Sequence, residues 1–175
     1  MEKIYAVEDI IPLTMDLISE FQTLLDSVSY IGRLSRYKND SAEKVINDPV
    51  LPTNGVREKN IQKCILGPDG SMVNFTQYYM GYKSETTVFL GDFYIHRASQ
   101  NKGYGRTILR LYEEIWRRSG FNKAILNVDI KNWVAVRFWF RNGYSRIIQW
   151  IGDKEYSNET FAMLRLEKEL NSSSG

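Results

Sequence analysis

The sequence predicts a mixed-sheet α/β (α+β) domain, and three observations predict it. Strand-forming runs alternate with amphipathic helical runs, Gly, Pro and Asn turn signals separate them, and the length suits one hydrophobic core. With 175 residues and 43% hydrophobic side chains, the chain can bury one core of ordinary size rather than two. We read residues 1–170 as one domain and the Asn-Ser-Ser-Ser-Gly run at 171–175 as a disordered tail.

Leu13, Leu17, Phe21, Leu24 and Leu25 recur at spacings of three and four, which predicts an amphipathic helix over 13–25 with Thr14 and Asp16 as caps. Residues 26–59 read as loop containing one short helix, started by Ser41. Residues 61–66 and 71–82 flank Gly67-Pro68-Asp69-Gly70 and predict a β-hairpin, with a further strand over 86–95. A helix comes next over 106–119, with Ile108, Leu109, Leu111, Tyr112, Ile115 and Trp116 on its buried stripe and Gly120 as its stop. Then come a strand at 123–129, a helix at 133–141 closed by Asn142-Gly143, a strand at 144–151, a turn at Gly152-Asp153 and a last strand at 160–166. The full order is strand, helix, hairpin extended into a meander, then strand-helix-strand-helix-strand-strand, giving a mixed sheet of six to seven strands with about four helices.

Lys and Arg number 23 against 21 Asp and Glu, so the net charge of +2 offers no field that argues for nucleic acid or a membrane surface as partner. Charges stand among the first nine residues where a signal peptide needs an apolar run, and no later run reaches the roughly eighteen apolar residues of a membrane span. A cytoplasmic protein is the expectation. Cys64 is the single cysteine, which leaves no internal disulfide or multi-cysteine metal site, and no metal is expected.

The informative stretch is Gln100-Asn101-Lys102-Gly103-Tyr104-Gly105-Arg106, set between a predicted strand and the first turn of a helix. A helix start has backbone N–H groups without partners and partial positive charge, and glycines let the chain wrap a pyrophosphate closely. Lys102 and Arg106 add full charges. A dinucleotide fingerprint needs a third glycine where Ile108 stands, and the Gly-Lys-Ser/Thr of a P-loop is absent. Both of those nucleotide-binding readings fail.

Taken with its neighbours, the loop resembles that of the GNAT N-acetyltransferase superfamily. Leu90-Gly91-Asp92-Phe93-Tyr94-Ile95 looks like that family's central strand, and Gln100 to Arg106 is similar to its pyrophosphate loop. Asn132-x-x-Ala135, Phe138-Trp139 and Asn142-Gly143-Tyr144 resemble its closing motif. The resemblance implies a GNAT fold and acetyl-CoA as acetyl donor, held in a gap between residues 93–95 and 126–128. The cofactor-binding residues it implies are Phe93, Tyr94, Ile95, Gln100, Asn101, Lys102, Gly103, Tyr104, Gly105, Arg106, Asn127, Asn132, Ala135 and Phe138. Asn132 can equally serve only as a helix cap.

The implied activity is transfer of the acetyl group to a primary amine of a small molecule, by direct attack in a ternary complex. A protein or peptide amine, or CoA binding without turnover, are the alternatives. Where polyamine-acetylating members read Leu-Glu-Asp, this chain reads Leu90-Gly91-Asp92, which leaves Asp92 as base or amine anchor. Trp139 stands where the family's tyrosine acid is expected, and an indole donates no proton to a leaving group. Tyr94, Tyr104 and Tyr144 are candidate donors, with His96 a further acid-base group. The catalytic set is therefore read as Asp92, Tyr94 and Tyr144. Tyr30, Tyr37, Tyr78, Tyr79 and Tyr82 make the acceptor region aromatic, which suits cation–π contact or simply core packing. Pairing through the final strands would allow a homodimer.

Overall fold

We describe a computed structural model of the chain, covering residues 4–36 and 40–170. Among these, seven strands form one sheet in the order β1-β2-β3-β4-β5-β7-β6. The strands are β1 (Ile11–Pro12), β2 (Asn60–Leu66), β3 (Met72–Met80), β4 (Thr87–Ile95), β5 (Lys123–Asp129), β6 (Arg146–Gly152) and β7 (Ala162–Glu169). The helices are α1 (Ile18–Ser27), α2 (Ala42–Asn47), α3 (Tyr104–Arg118) and α4 (Trp133–Arg141). Only β4 and β5 run parallel; every other neighbouring pair is antiparallel. Tyr37 and the 171–175 tail lie outside the described residues.

Two cores sit on opposite faces of the sheet. On one, the stripe of α3 buries Ile108, Leu109, Tyr112 and Trp116 against Val88, Leu90, Leu126 and Leu166, with Trp139 of α4 beside them. Leu111 and Ile115, read as part of that stripe, are half-buried at its margin. On the other face, Phe21, Leu24 and Leu25 of α1 pack on Cys64, Met72 and Phe75, with Ala42 and Ile46 of α2 closing the edge. Cys64 has no exposed surface and burial pushes its thiol up to about 11, so it acts as a hydrophobe rather than a nucleophile.

Several boundaries differ from the sequence reading, among them that of β7, which spans Ala162–Glu169 rather than 160–166. The first α-helix starts at Ile18 rather than 13, because the Leu13 amide bonds Gln62 O (3.1 Å) as an extension of β1 and Met15–Leu17 form one 3-10 turn. Neither Thr14 nor Asp16 caps α1. The β6 strand begins at Arg146, since Gly143 at φ 88° and the Tyr144 amide on Trp139 O (3.1 Å) first close α4. The expected tight turn after β6 is instead a connection over 153–161, folded on itself through Phe161 N to Asp153 Oδ2 (2.9 Å). Ser41 caps α2 as expected, accepting from Lys44 N.

The sheet's decisive feature is the β4–β5 junction. These strands pair only from Thr87–Lys123 to Leu90–Leu126, and then part. At that point the β3–β4 register jumps: Tyr78 opposes Leu90 and Gln77 opposes Asp92, so Gly91 is an unpaired bulge residue. A bulge bends its strand and inverts the facing of the residues beyond it. Asp92, which would otherwise share the α3 face with Leu90, lies opposite Gln77 on the α1 face, and Tyr94 comes after it opposite Phe75.

Removing the fully buried core should be costly and trimming the exposed edge should not. Trp116→Ala is expected to lower unfolding free energy by about 3–5 kcal/mol in urea titrations. Trp150→Ala, at a side chain 69% exposed on β6, should stay within about 0.5 kcal/mol of wild type.

Candidate functional site

A cleft of about 1590 Å³ opens where β4 and β5 part. Past Leu90 the backbone of β4 faces no strand on its β5 side, so a central strand presents polar groups that water or a ligand must satisfy. Phe93 and Ile95 line the α3/α4 side with Ala135 and Phe138; Phe93 stacks on Phe138 at 6.0 Å between ring centroids. The result is an apolar channel with peptide groups along one wall.

At one end of the cleft is the start of α3. Gly103 holds φ 83° as its N-cap and Asn101 holds φ 61°, the left-handed region that glycine and asparagine tolerate best. No side chain caps this helix, so its first-turn amides remain directed outward. A Cβ on Gly103 would meet nothing within 4 Å, whereas one on Gly105 would approach Phe138 to 3.3 Å. Gly103 thus keeps an open cradle, and Gly105 lets α3 close on α4. Arg106, Arg137 and Arg141 add positive charge along the same wall.

The α1 side of the cleft is built from β4 and β5 together. The Tyr94 hydroxyl donates to Asp92 Oδ1 at 2.9 Å. Burial is the main force raising the Asp92 carboxyl, with Tyr94 partly offsetting it and Asp40 adding to it. The Asp92 charge and burial in turn push the Tyr94 phenol well above its ordinary value. On β5, Leu126 and Val128 pack into the α3 core, so strand alternation turns Asn127 and Asp129 toward the α1 side. Arg165 Nε donates to Asn127 Oδ1 at 2.9 Å. The segment leading into β2 is tied down by Gln62 and Gln77, whose side-chain amides donate to Val45 O (2.7 Å) and Val50 O (3.1 Å).

The cleft brings together most of the residues singled out from sequence: Asp92, Phe93, Tyr94, Ile95, Gln100, Asn101, Gly103, Gly105, Arg106, Asn127, Asn132, Ala135 and Phe138. Gln100 braces it, donating from Nε2 to Ile95 O at 2.9 Å. Asn132 does cap α4, accepting from Ala135 N at 3.3 Å, and lines the cleft as well. The Asn127 side chain, read as a cofactor contact, lies on the α1 side bonded to Arg165.

Tyr144 is not brought to the cleft. It has no exposed surface and packs in the core against Trp139 and under Lys168, because the closure of α4 carries it inward. Burial, and then the Glu113 charge, push its phenol far up, which suits a structural role. The Tyr104 side chain packs on the buried Tyr5 (5.4 Å) at the α3 core, and Lys102 is exposed; neither side chain lines the cleft. His96 caps a 3-10 turn, its Nδ1 accepting from Ala98 N at 3.2 Å. Tyr78 packs in the core with Tyr112 and Trp116 while also reaching the cleft, which Tyr30, Tyr79 and Tyr82 line as well. Asp129 escaped the sequence reading; the alternation of Leu126 and Val128 with Asn127 was the signal that could have found it.

A model of the acetyltransferase (GNAT) family matches residues 38–144. The chain belongs to the GNAT acetyltransferase family. No curated protein matches it by sequence. Solved structures with the same fold include an acetyltransferase from Thermus thermophilus, at 18% identity and TM-score 0.68 over 92% of this chain and 96% of that one. Another is the ribosomal-protein-S18-alanine N-acetyltransferase from Escherichia coli, at 11% identity and TM-score 0.69 over 94% and 95%. A chimeric spermidine N-acetyltransferase from Vibrio cholerae matches at 13% identity and TM-score 0.69 over 92% and 94%. As in the sequence reading, the fold is a mixed, mostly antiparallel sheet flanked by four helices among the described residues.

Membership in the GNAT family implies use of acetyl-CoA, and the cleft fits it. A long thiol ester with a polyanionic head needs a narrow channel, backbone polar groups along it and an anion cradle at one end. The parted strands, the Phe93 and Phe138 wall and the uncapped Gly103–Tyr104 helix start provide them. Gly103→Asp places a carboxylate in that cradle without steric conflict, and aspartate is among the side chains that bear a positive φ. Calorimetry should show acetyl-CoA binding weakened by roughly a hundredfold, against only a few-fold for Gly103→Ala, as expected for charge repulsion rather than backbone strain.

Proposed function

We propose that the chain transfers the acetyl group of acetyl-CoA to a primary amine of a small molecule, by direct attack in a ternary complex. The observation that carries this reading is the Asp92–Tyr94 pair, turned by the Gly91 bulge onto the α1 side of the cleft just where β4 and β5 part. When bound, acetyl-CoA supplies an activated acetyl thioester. The protein must hold an amine beside it and remove its proton.

Asp92 is suited to both tasks. Tyr94 occupies Oδ1 and fixes the carboxylate's orientation, which leaves Oδ2 for an incoming ammonium. Because burial raises this carboxyl, it is a stronger base than an exposed aspartate. It first attracts the ammonium and then takes its proton at Oδ2, freeing the nitrogen lone pair. Tyr94, already donating to a carboxylate, acts as a positioning residue rather than an acid.

Trp139 fills the position of the family's tyrosine, packed between Phe93, Phe138 and Tyr144 and 7% exposed. No acid is then provided there. An alkyl thiol of pKa about 8.5 can depart as thiolate without one. A small acceptor is favoured over a polypeptide by the Arg36–Asp153 ion pair, which joins the segment after α1 to the β6–β7 connection beside the cleft mouth. The Escherichia coli relative named above acts on a ribosomal protein and the Vibrio cholerae one on spermidine, so the shared fold is compatible with either acceptor class.

Thiol release from acetyl-CoA across an amine panel tests the reading. Asp92→Asn should lower kcat by about a hundredfold or more. In wild type, kcat/KM should fall on acidification through the Asp92 carboxyl, starting above the ordinary carboxylate range because burial raises it, and the variant should lack that limb. Trp139→Phe should keep kcat within about threefold, since no proton donor is lost.

A further inference from the structure

Asp129 ends β5 on the same side of the sheet as Asp92 and Tyr94, across the parting of the strands, and it lines the same cleft. Its charge adds to that of Asp92 at the Tyr94 hydroxyl, so the two carboxylates act on one chamber. Burial raises the Asp129 carboxyl, and the Ser35 hydroxyl offsets this only in part. Among the described residues, Asp129 has no Lys or Arg within ion-pair distance. Other acids near the cleft are matched or solvated: Asp40 pairs with Lys44 at 2.7 Å, Asp153 with Arg36, and Asp48 is exposed. The nearest cation along the sheet, Arg165, is directed elsewhere, to Asn127 through Nε, to Gln149 through Nη1 and over the Tyr82 ring.

A half-buried carboxylate lining a cleft without a counter-charge is costly, and its natural complement is a charge that arrives with the ligand. One ammonium satisfies Asp92 and leaves Asp129 unmatched. An amino acid would bring its own carboxylate toward a chamber already doubly negative. We propose that Asp129 is a specificity-determining residue that holds a second cationic centre of the acceptor, which makes the substrate class a diamine or longer polyamine. The assignment rests on the cleft being the acetyl-transfer site. Asp92 engages the nitrogen that reacts and Asp129 the nitrogen that does not.

Calorimetry on the protein saturated with coenzyme A tests this without turnover. The probes are α,ω-diamines of increasing chain length, alkylamines of matching length, and glycine as an amino acid. The best diamine should bind roughly tenfold or more tighter than its matching alkylamine, as a charge-assisted bond to a half-buried carboxylate would give. Asp129→Asn, checked for folding by thermal melting, should erase that advantage and leave alkylamine affinity within about twofold. Should Asp129→Asn unfold the protein, Ser35→Ala provides the second variant. It removes the hydroxyl that partly satisfies Asp129 and should preserve or increase the diamine preference. Equal binding of diamine and alkylamine, a preference that survives Asp129→Asn, or tighter binding of glycine overturns the assignment. Diamine-selective binding by a protein that releases no thiol from acetyl-CoA would contradict the transfer reading while supporting the role of Asp129.

Discussion

The parallel pairing of β4 and β5 ends at Leu90–Leu126, and the rest of the site depends on that interruption. In the middle of a sheet, strands gain by pairing along their whole length, so a wedge of unpaired backbone persists only if something holds the strands apart. Here the bulge at Gly91 bends β4, while α3 and α4 meet through Gly105 and Phe138 behind the wedge. The two large cores grip the paired halves of the strands from both faces. Stability is thus concentrated around the cleft, and the cleft itself contains the unpaired strand backbone.

The same interruption sorts the chemistry by face. Toward α3 and α4 the lining is apolar and ends at a cationic, uncapped helix start. Toward α1 it has two partly desolvated carboxylates and a tyrosine. A polyanionic donor and a cationic acceptor would then approach through opposite faces and meet at the bulge. Each of these features opposes folding when considered alone: left-handed Asn101 and Gly103, half-buried Asp92 and Asp129, unpaired strand backbone. Their accumulation in one place, within a chain whose buried Glu113 is paired with Lys168 at 2.7 Å, marks the place as functional.

Much of the fold was legible in the sequence because its period is clean. The stripe of α3 and the strand at Lys123–Asp129 can be read from hydrophobic spacing alone, and Gly120 and Gly143 mark real helix ends at positive φ. The glycine loop was legible because helix-start chemistry is local. What escaped is long-range. Nothing within residues 13–17 reveals that Leu13 will bond to Gln62, and so the first helix was drawn too early. Tyr144 reads as reactive beside Gly143, yet the closure of α4 buries it. Gly91 reads as a lost glutamate, but its place in the structure is a bulge that re-aims Asp92, a fact of register that only the β3 partner sets. Asp129 becomes visible as a site residue only once the faces of β5 are known.

The central claim is that the wedge between β4 and β5 is the acetyl-CoA seat, and amide hydrogen exchange with and without acetyl-CoA tests it most directly. Slowed exchange is expected at residues 91–95 and at 103–105, with α1 and β2 unchanged, because only unpaired wedge and helix-start amides gain partners. Protection confined to other segments, or none at saturating acetyl-CoA, would contradict it.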